Sequence, residues 1–175
     1  MDLGRVCQKA DRMGMICRPL QRRDRGAVEE MLQACGAFSE EEVRVALRLV
    51  DEGLEEGSEG YYALFAVEID GAVHGYACLG ETLLTRSTWH LYWICVHPDA
   101  QGTGAGRALQ LHAEAFVRDR GGERIVLETD GRESYARTRR FYQRAGYEEV
   151  GWIRDYYKPG SDLVLFCKEL SGQVD

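Results

Sequence analysis

The sequence predicts an α/β fold, with one mixed β-sheet of about seven strands flanked by about four helices. Apolar runs of strand length alternate with stretches of helical periodicity, which predicts sheet and helix interleaved along the chain. Asp70-Gly71 lies between two such runs, a strong hairpin signal, so part of the sheet is antiparallel. Gly102, Gly104 and Gly106 then run straight into a helical pattern, a strand-to-helix turn almost free of side chains. With 175 residues, 45% of them hydrophobic, the chain is long enough for one domain with a substantial core. We place that domain at residues 14–170, with 1–13 and 171–175 as terminal extensions.

The elements follow in order. Met15 to Leu20 (MICRPL) reads as a short strand. Asp24 precedes a helix carrying Val28, Met31, Leu32 and Cys35 at helical spacing, and Ser39 with Glu42 forms a capping box for a second helix. That helix places Val43, Ala46, Leu47, Val50 and Leu54 on one face, and the glycines and acids of Gly53 to Gly60 close it. YYALFAVEID and AVHGYACLGE flank the hairpin turn, and Trp89 to Val96 is a further strand rich in aromatic and β-branched residues. Beyond the glycine turn a helix runs from about Gly104 to Arg120, with Ala105, Leu109, His112, Ala113 and Phe116 on its inner face. Gly121-Gly122 ends it, and RIVLET, Arg124 to Thr129, is a buried strand. A short helix from about Ser134 to Ala145 is stopped by Gly146. Tyr147 to Asp155 and Leu163 to Lys168 are the last strands, joined through Lys158, Pro159 and Gly160.

Charge and cysteine content narrow the function. The net charge of −7 argues against a general nucleic-acid surface and is compatible with a cationic partner such as an amine. No apolar run approaches a membrane span and the N-terminus lacks a secretory apolar core, so a cytoplasmic protein with no membrane partner is expected. The six cysteines show no CxxC pair and no companion histidines at metal spacing; free, mostly buried thiols and no metal are expected. Arg137, Arg139, Arg140 and Arg144 cluster in sequence, but helical spacing turns most of them to solvent.

The glycine turn does not fit the common nucleotide loops. A dinucleotide fingerprint follows the first strand of a βαβ unit as GxGxxG, whereas this turn follows the fourth strand as GxGxG. A P-loop ends in Gly-Lys-Ser/Thr, whereas this turn ends in Gly-Arg-Ala.

Gln101-Gly102-Thr103-Gly104-Ala105-Gly106 matches Q/R-x-x-G-x-G/A, the signature of the GCN5-related N-acetyltransferase (GNAT) family, and FYQRAGY, Phe141 to Tyr147, is similar to that family's FYEKxGF segment. The chain resembles the family from about Met15 to Leu170, in element order as well as in these two motifs. The resemblance implies a GNAT-like sheet and transfer of acetyl from acetyl-CoA to a primary amine by direct attack. It implies that the amides of Gln101, Gly102, Thr103, Gly104, Ala105, Gly106 and Arg107 cradle the coenzyme A pyrophosphate, as a helix N-terminus does without a lysine. It further implies main-chain contacts from Ile94, Cys95 and Val96 to the pantetheine arm, with Leu127 to Thr129 opposite.

Proton handling is the remaining requirement, because an ammonium cannot attack and a departing thiolate benefits from a proton. Tyr142 matches the tyrosine that many family members place near the sulfur, which makes it the acid; packing in the core is its alternative role. The fourth-strand glutamate of some relatives is missing, since its two usual positions hold His90 and Tyr92. His90 has the pKa range of a base near neutral pH, and a structural histidine or a relay to bulk water stays open beside it. Glu81 and Glu128 are the carboxylates of neighbouring strands.

Tyr135 stands where many relatives carry asparagine, which leaves that residue's cofactor contact in doubt. Asp155, Tyr156 and Tyr157 in the aromatic tail suit either an acceptor pocket or a homodimer contact. The acceptor, a small molecule or a peptide amine, is not legible. A coenzyme A-binding regulatory module without turnover is the alternative from a different class, and a nucleotide-binding module is a third.

Overall fold

The computed structural model describes residues 14–170; the terminal segments 1–13 and 171–175, with Cys7, lie outside the described residues. Strand β1 (Met15–Pro19) is followed by a 3-10 turn at Arg22–Asp24 and by helices α1 (Arg25–Ala34) and α2 (Glu40–Glu56). Strands β2 (Tyr62–Ile69), β3 (Ala72–Glu81) and β4 (Thr88–Val96) lead to helix α3 (Ala105–Asp119). Strand β5 (Arg124–Asp130), helix α4 (Ala136–Arg144) and strands β6 (Glu148–Lys158) and β7 (Ser161–Glu169) complete the order. The seven strands form one sheet in the order β1-β2-β3-β4-β5-β7-β6. It is mixed: β1–β2, β2–β3, β5–β7 and β6–β7 are antiparallel and β4–β5 is parallel. Fold class and element order are those expected from the sequence.

Local chemistry accounts for the boundaries. Ser39 caps α2 as expected: Glu42 N donates to Ser39 Oγ at 3.3 Å and Ser39 N donates to Glu42 Oε2 at 2.7 Å, an arrangement worth about 1 kcal/mol. Asp70 (φ 51°) and Gly71 (φ 84°) both take left-handed conformations, the requirement of a tight two-residue hairpin turn. Gly146 (φ 88°) ends α4, with its N–H donating to Gln143 O.

Asp24 precedes α1, as read from the sequence, but its side chain is used elsewhere. Its carboxylate makes no cap bond to α1; it accepts from Gln21 N at 2.8 Å and from Arg18 at 2.6 and 3.1 Å. Strand β6 runs on to Lys158, past the expected end at Asp155. Its ladder with β7 is irregular between Ile153 and Lys158 and closes again at Lys158↔Ser161, and sequence alternation does not register such an interruption.

The described residues group into two units. One holds those up to Gly80 together with Trp93–Ala115; the other holds Glu81–Tyr92 and those from Phe116 onward. In the first, the core is drawn from Val28, Met31 and Leu32 of α1, Ala46 and Val50 of α2, Ala66 and Val67 of β2, Tyr76 to Leu79 of β3, and Ala105 and Leu109 of α3, all buried. In the second, Trp89, Leu91, Ile125, Leu127, Tyr142, Val164 and Phe166 are buried. No helix among the described residues is long and apolar enough to cross a membrane.

Candidate active site

The glycine turn is built by its own backbone. A 3-10 turn at Pro98–Ala100 follows β4, and His97 Nδ1 accepts from Asp99 N at 3.3 Å. Gln101 N donates to Pro98 O at 3.1 Å, and the Gln101 side chain reaches back to Val96 O at 3.4 Å. Thr103 Oγ1 donates to Ala100 O at 2.7 Å and accepts from Ala105 N at 3.4 Å. These bonds fix the loop while Gly102 (φ 83°) and Gly104 (φ 105°) take conformations that side chains disfavour. Among the described residues, the N–H groups of Gly102, Gly104 and Gly106 donate to no protein acceptor. A Cβ at Gly102 or Gly104 would meet nothing within 4 Å. Unfilled donors at a helix start suit an anion of pyrophosphate type.

Arg107 stands in the first turn of α3, but its guanidinium is engaged along the helix. Arg107 Nη1 donates to Gln110 Oε1 at 2.9 Å, and Gln110 Nε2 donates to Glu114 Oε1 at 2.5 Å. Gln110 and Glu114 are 0% and 1% exposed, a buried polar ladder that the sequence reading missed. The signal was available as polar residues at 107, 110 and 114, three and four apart on one face. His112, expected on the inner face, is half-buried and packs edge-on against Phe65 at 4.7 Å.

Upstream of the turn, Cys95 is buried and Ile94 and Val96 are half-buried. His97 N donates to His74 O at 2.8 Å. Gly75 of β3 lies so close that a Cβ there would stand 3.0 Å from both Cys95 O and Leu109 Cδ1. Any larger residue at 75 would push this strand segment and α3 apart, a role for glycine that sequence alone does not announce. Strand β4 pairs with β5 in parallel through Thr88↔Arg124, Trp89↔Ile125 and His90↔Val126.

In the second unit, His90 and Tyr92 stack with ring centroids 4.6 Å apart and planes at 27°. Burial lowers the His90 pKa below its ordinary 6.5, and the charge of Glu128 opposes that shift. His90 pairs with Val126, so Glu128, two residues on, belongs to the same sheet face. Tyr142 is 6% exposed, its ring 5.3 Å from Phe141 and 5.8 Å from both Tyr147 and Phe166. Burial raises its phenol pKa above the ordinary 10, which keeps the hydroxyl protonated at neutral pH.

Most of the arginines clustered on the helix that carries Tyr142 face solvent, as expected, and the remaining one ties the helix down. Arg137, Arg140 and Arg144 are exposed, but Arg139 is half-buried and donates to Asp130 O at 2.7 Å and Arg132 O at 2.8 Å. Asp130 in turn accepts from Ser161 Oγ at 2.6 Å and from Arg132 Nε at 2.8 Å. Asp155, expected at an acceptor pocket or a homodimer contact, shapes the β6–β7 hairpin. At φ 52° it accepts from Gly160 N at 2.6 Å and donates its own N–H to Asp162 Oδ1 at 2.9 Å. Tyr156 and Tyr157 are exposed and pack edge to face at 5.0 Å. Tyr135 lies under the Arg132 guanidinium at 5.5 Å, and Glu81 is exposed at the end of β3.

The chain and its fold have counterparts among known proteins. Residues 25–147 match the family model described as acetyltransferase (GNAT) family, and the chain belongs to that family. It is 33% identical over 109 residues to an uncharacterised N-acetyltransferase of Methanocaldococcus jannaschii, covering 60% of this chain and 65% of that protein, somewhat less than two thirds of its length. A crystal structure from Desulfovibrio desulfuricans, assigned to the acetyltransferases of the GNAT family, superposes with a TM-score of 0.86 at 37% identity, covering 90% of this chain and 99% of that one. The PaiA N-acetyltransferase of Thermoplasma acidophilum, solved with coenzyme A, shares the fold at a TM-score of 0.69 and 19% identity, over 89% and 98% of the two chains.

Proposed function

We propose that this chain is an acetyl-CoA-dependent N-acetyltransferase that passes the acetyl group to a primary amine by direct attack. The observation that carries the reading is the glycine turn: three N–H donors without protein acceptors at the start of α3, with open space at Gly102 and Gly104. In this reading the turn of residues 101–107 holds the coenzyme A diphosphate chiefly through the amides of Gly102, Gly104 and Gly106, those of Gln101, Thr103 and Ala105 being engaged within the loop. The main chain of Ile94, Cys95 and Val96 aligns the pantetheine arm. Bound acetyl-CoA supplies an acyl group activated by its thiol leaving group.

The remaining work falls to side chains. His90, held neutral by burial, accepts the proton of the incoming ammonium directly or through water. Tyr142, held as the phenol, gives a proton to the departing sulfur. The acceptor is a small-molecule or peptide amine, and the negative net charge favours its cationic form.

Calorimetric titration with acetyl-CoA tests the reading, followed by thiol release with a panel of amines. Saturable binding that is lost in Gly106→Asp, together with amine-dependent release, supports it. Gly106 is in the first helical turn outside the left-handed region, where a carboxylate favours the helix while repelling a diphosphate. No binding by the unmodified protein overturns the reading.

A further inference from the structure

Cys35 and Cys95 are sixty positions apart in sequence, yet their sulfurs stand 3.0 Å from each other. A covalent S–S bond is about 2.05 Å, so an approach of about 1 Å would join them. Cys35 is the residue after the end of α1 and is half-buried; Cys95 is 5% exposed and is the penultimate residue of β4. Cys35 Sγ also lies 3.5 Å from Val96 O, so the thiol sits against the segment that enters the glycine turn.

The environments of the two thiols are unequal. The hydrogen bond from Cys95 lowers the Cys35 pKa below its ordinary 9.0, against the opposing effect of burial. The same contact, then burial, raises that of Cys95. Burial pushes Cys17 up to about 11, Cys78 up to about 12, and Cys167 upward as well. Among the described cysteines, Cys35 alone is shifted toward the thiolate. A partly accessible thiolate-prone cysteine beside a buried partner is the arrangement of an attacking thiol and a resolving thiol.

We propose that Cys35 and Cys95 form a reversible oxidative modification site whose substrate is a small hydroperoxide. The Cys35 thiolate attacks the terminal peroxide oxygen and the O–O bond breaks. Cys35 becomes a sulfenic acid, and the departing oxygen leaves as water or alcohol after taking a proton. The Cys95 sulfur then attacks the Cys35 sulfur, the S–O bond breaks and water leaves with the Cys95 proton. In sum, two thiols lose two protons and two electrons to the hydroperoxide, and one disulfide forms. The disulfide fastens the end of α1 to the end of β4. The sequence offers no sign of this pairing, because the two residues form no CxxC and meet only in the folded chain. Cys95 belongs to the strand segment whose main chain the proposed function sets along the pantetheine arm, but the oxidation is a separate reaction and is tested without acetyl transfer.

The test exposes the reduced full chain to hydrogen peroxide, alkylates it under denaturing conditions, and maps each cysteine by mass spectrometry. A Cys35–Cys95 cross-link is expected as the first product, about tenfold or more ahead of oxidation at Cys17, Cys78 or Cys167, and reversed by dithiothreitol. In Cys95→Ser, Cys35 is expected to stop at the sulfenic acid and to be trapped by dimedone. In Cys35→Ser, a change at a half-buried position, Cys95 is expected to stay reduced. Oxidation of Cys17 or Cys167 as fast as of Cys35, or a Cys35 product other than the cross-link in the unmodified chain, overturns the proposal.

Discussion

Two side chains carry opposite proton tasks in the proposed reaction, and burial sets both. Tyr142 keeps its proton because desolvation penalises the phenolate. Tyr142→Phe retains the ring against Phe166 and Tyr147, so the fold and acetyl-CoA affinity should hold while kcat falls on the order of 10²-fold. Steady-state kinetics beside calorimetry separates these, and an unchanged kcat removes Tyr142 from the chemistry. His90 loses its proton readily because burial disfavours the imidazolium more than Glu128 favours it. Its neutral, accepting form therefore prevails above a pKa lying below 6.5, and is lost as pH falls through that value. The pH profile of kcat/KM should show an acidic limb below 6.5 that disappears in His90→Gln, with a lower plateau. A limb that survives the substitution assigns the base elsewhere.

At the scale of elements, the position of α4 depends on Arg139. Its guanidinium joins the helix to the carbonyls of Asp130 and Arg132 at the end of β5. Removing those bonds in Arg139→Ala leaves two part-buried acceptors poorly satisfied, and should cost about 2 kcal/mol in urea unfolding. Arg137→Ala, on the exposed side of the same helix, should change stability by less than about 0.5 kcal/mol. Equal effects would show that the Arg139 bonds do not hold the helix. The ladder from half-buried Arg107 to buried Gln110 and Glu114 does comparable work within α3, satisfying the Gln110 and Glu114 polar groups that are closed off from water.

For the whole molecule, ligand and pH report on stability together. Acetyl-CoA at a hundred times its Kd should add about 2.7 kcal/mol, seen as a rise in melting temperature that Gly106→Asp abolishes. Acid should act through Asp24 and Asp130. Burial alone would raise both carboxyl pKa values, but hydrogen bonds from Arg18 and Gln21 to the first, and from Arg132 and Ser161 to the second, hold them below 3.8. A lowered folded pKa means stability present above 3.8 and lost as pH falls through the folded value. Asp130→Asn should flatten that acid limb of the unfolding curve, and an unaltered limb would place the acid sensitivity elsewhere.

The order of strands and helices, the Ser39 cap, the Asp70-Gly71 turn and the glycine turn were legible in the sequence, because each rests on residues within a few positions of one another. The family was legible too, since its signatures are local strings of that kind. What only the tertiary structure decided depends on residues far apart in the chain. Gly75 is required by Val67 and the carbonyl of Cys95, Arg139 is the arginine of its cluster that bonds the end of β5, and Cys35 meets Cys95. Periodicity fixes the face a residue takes on its own element, whereas burial, partner and proton affinity are set by whatever the folded chain brings against that face.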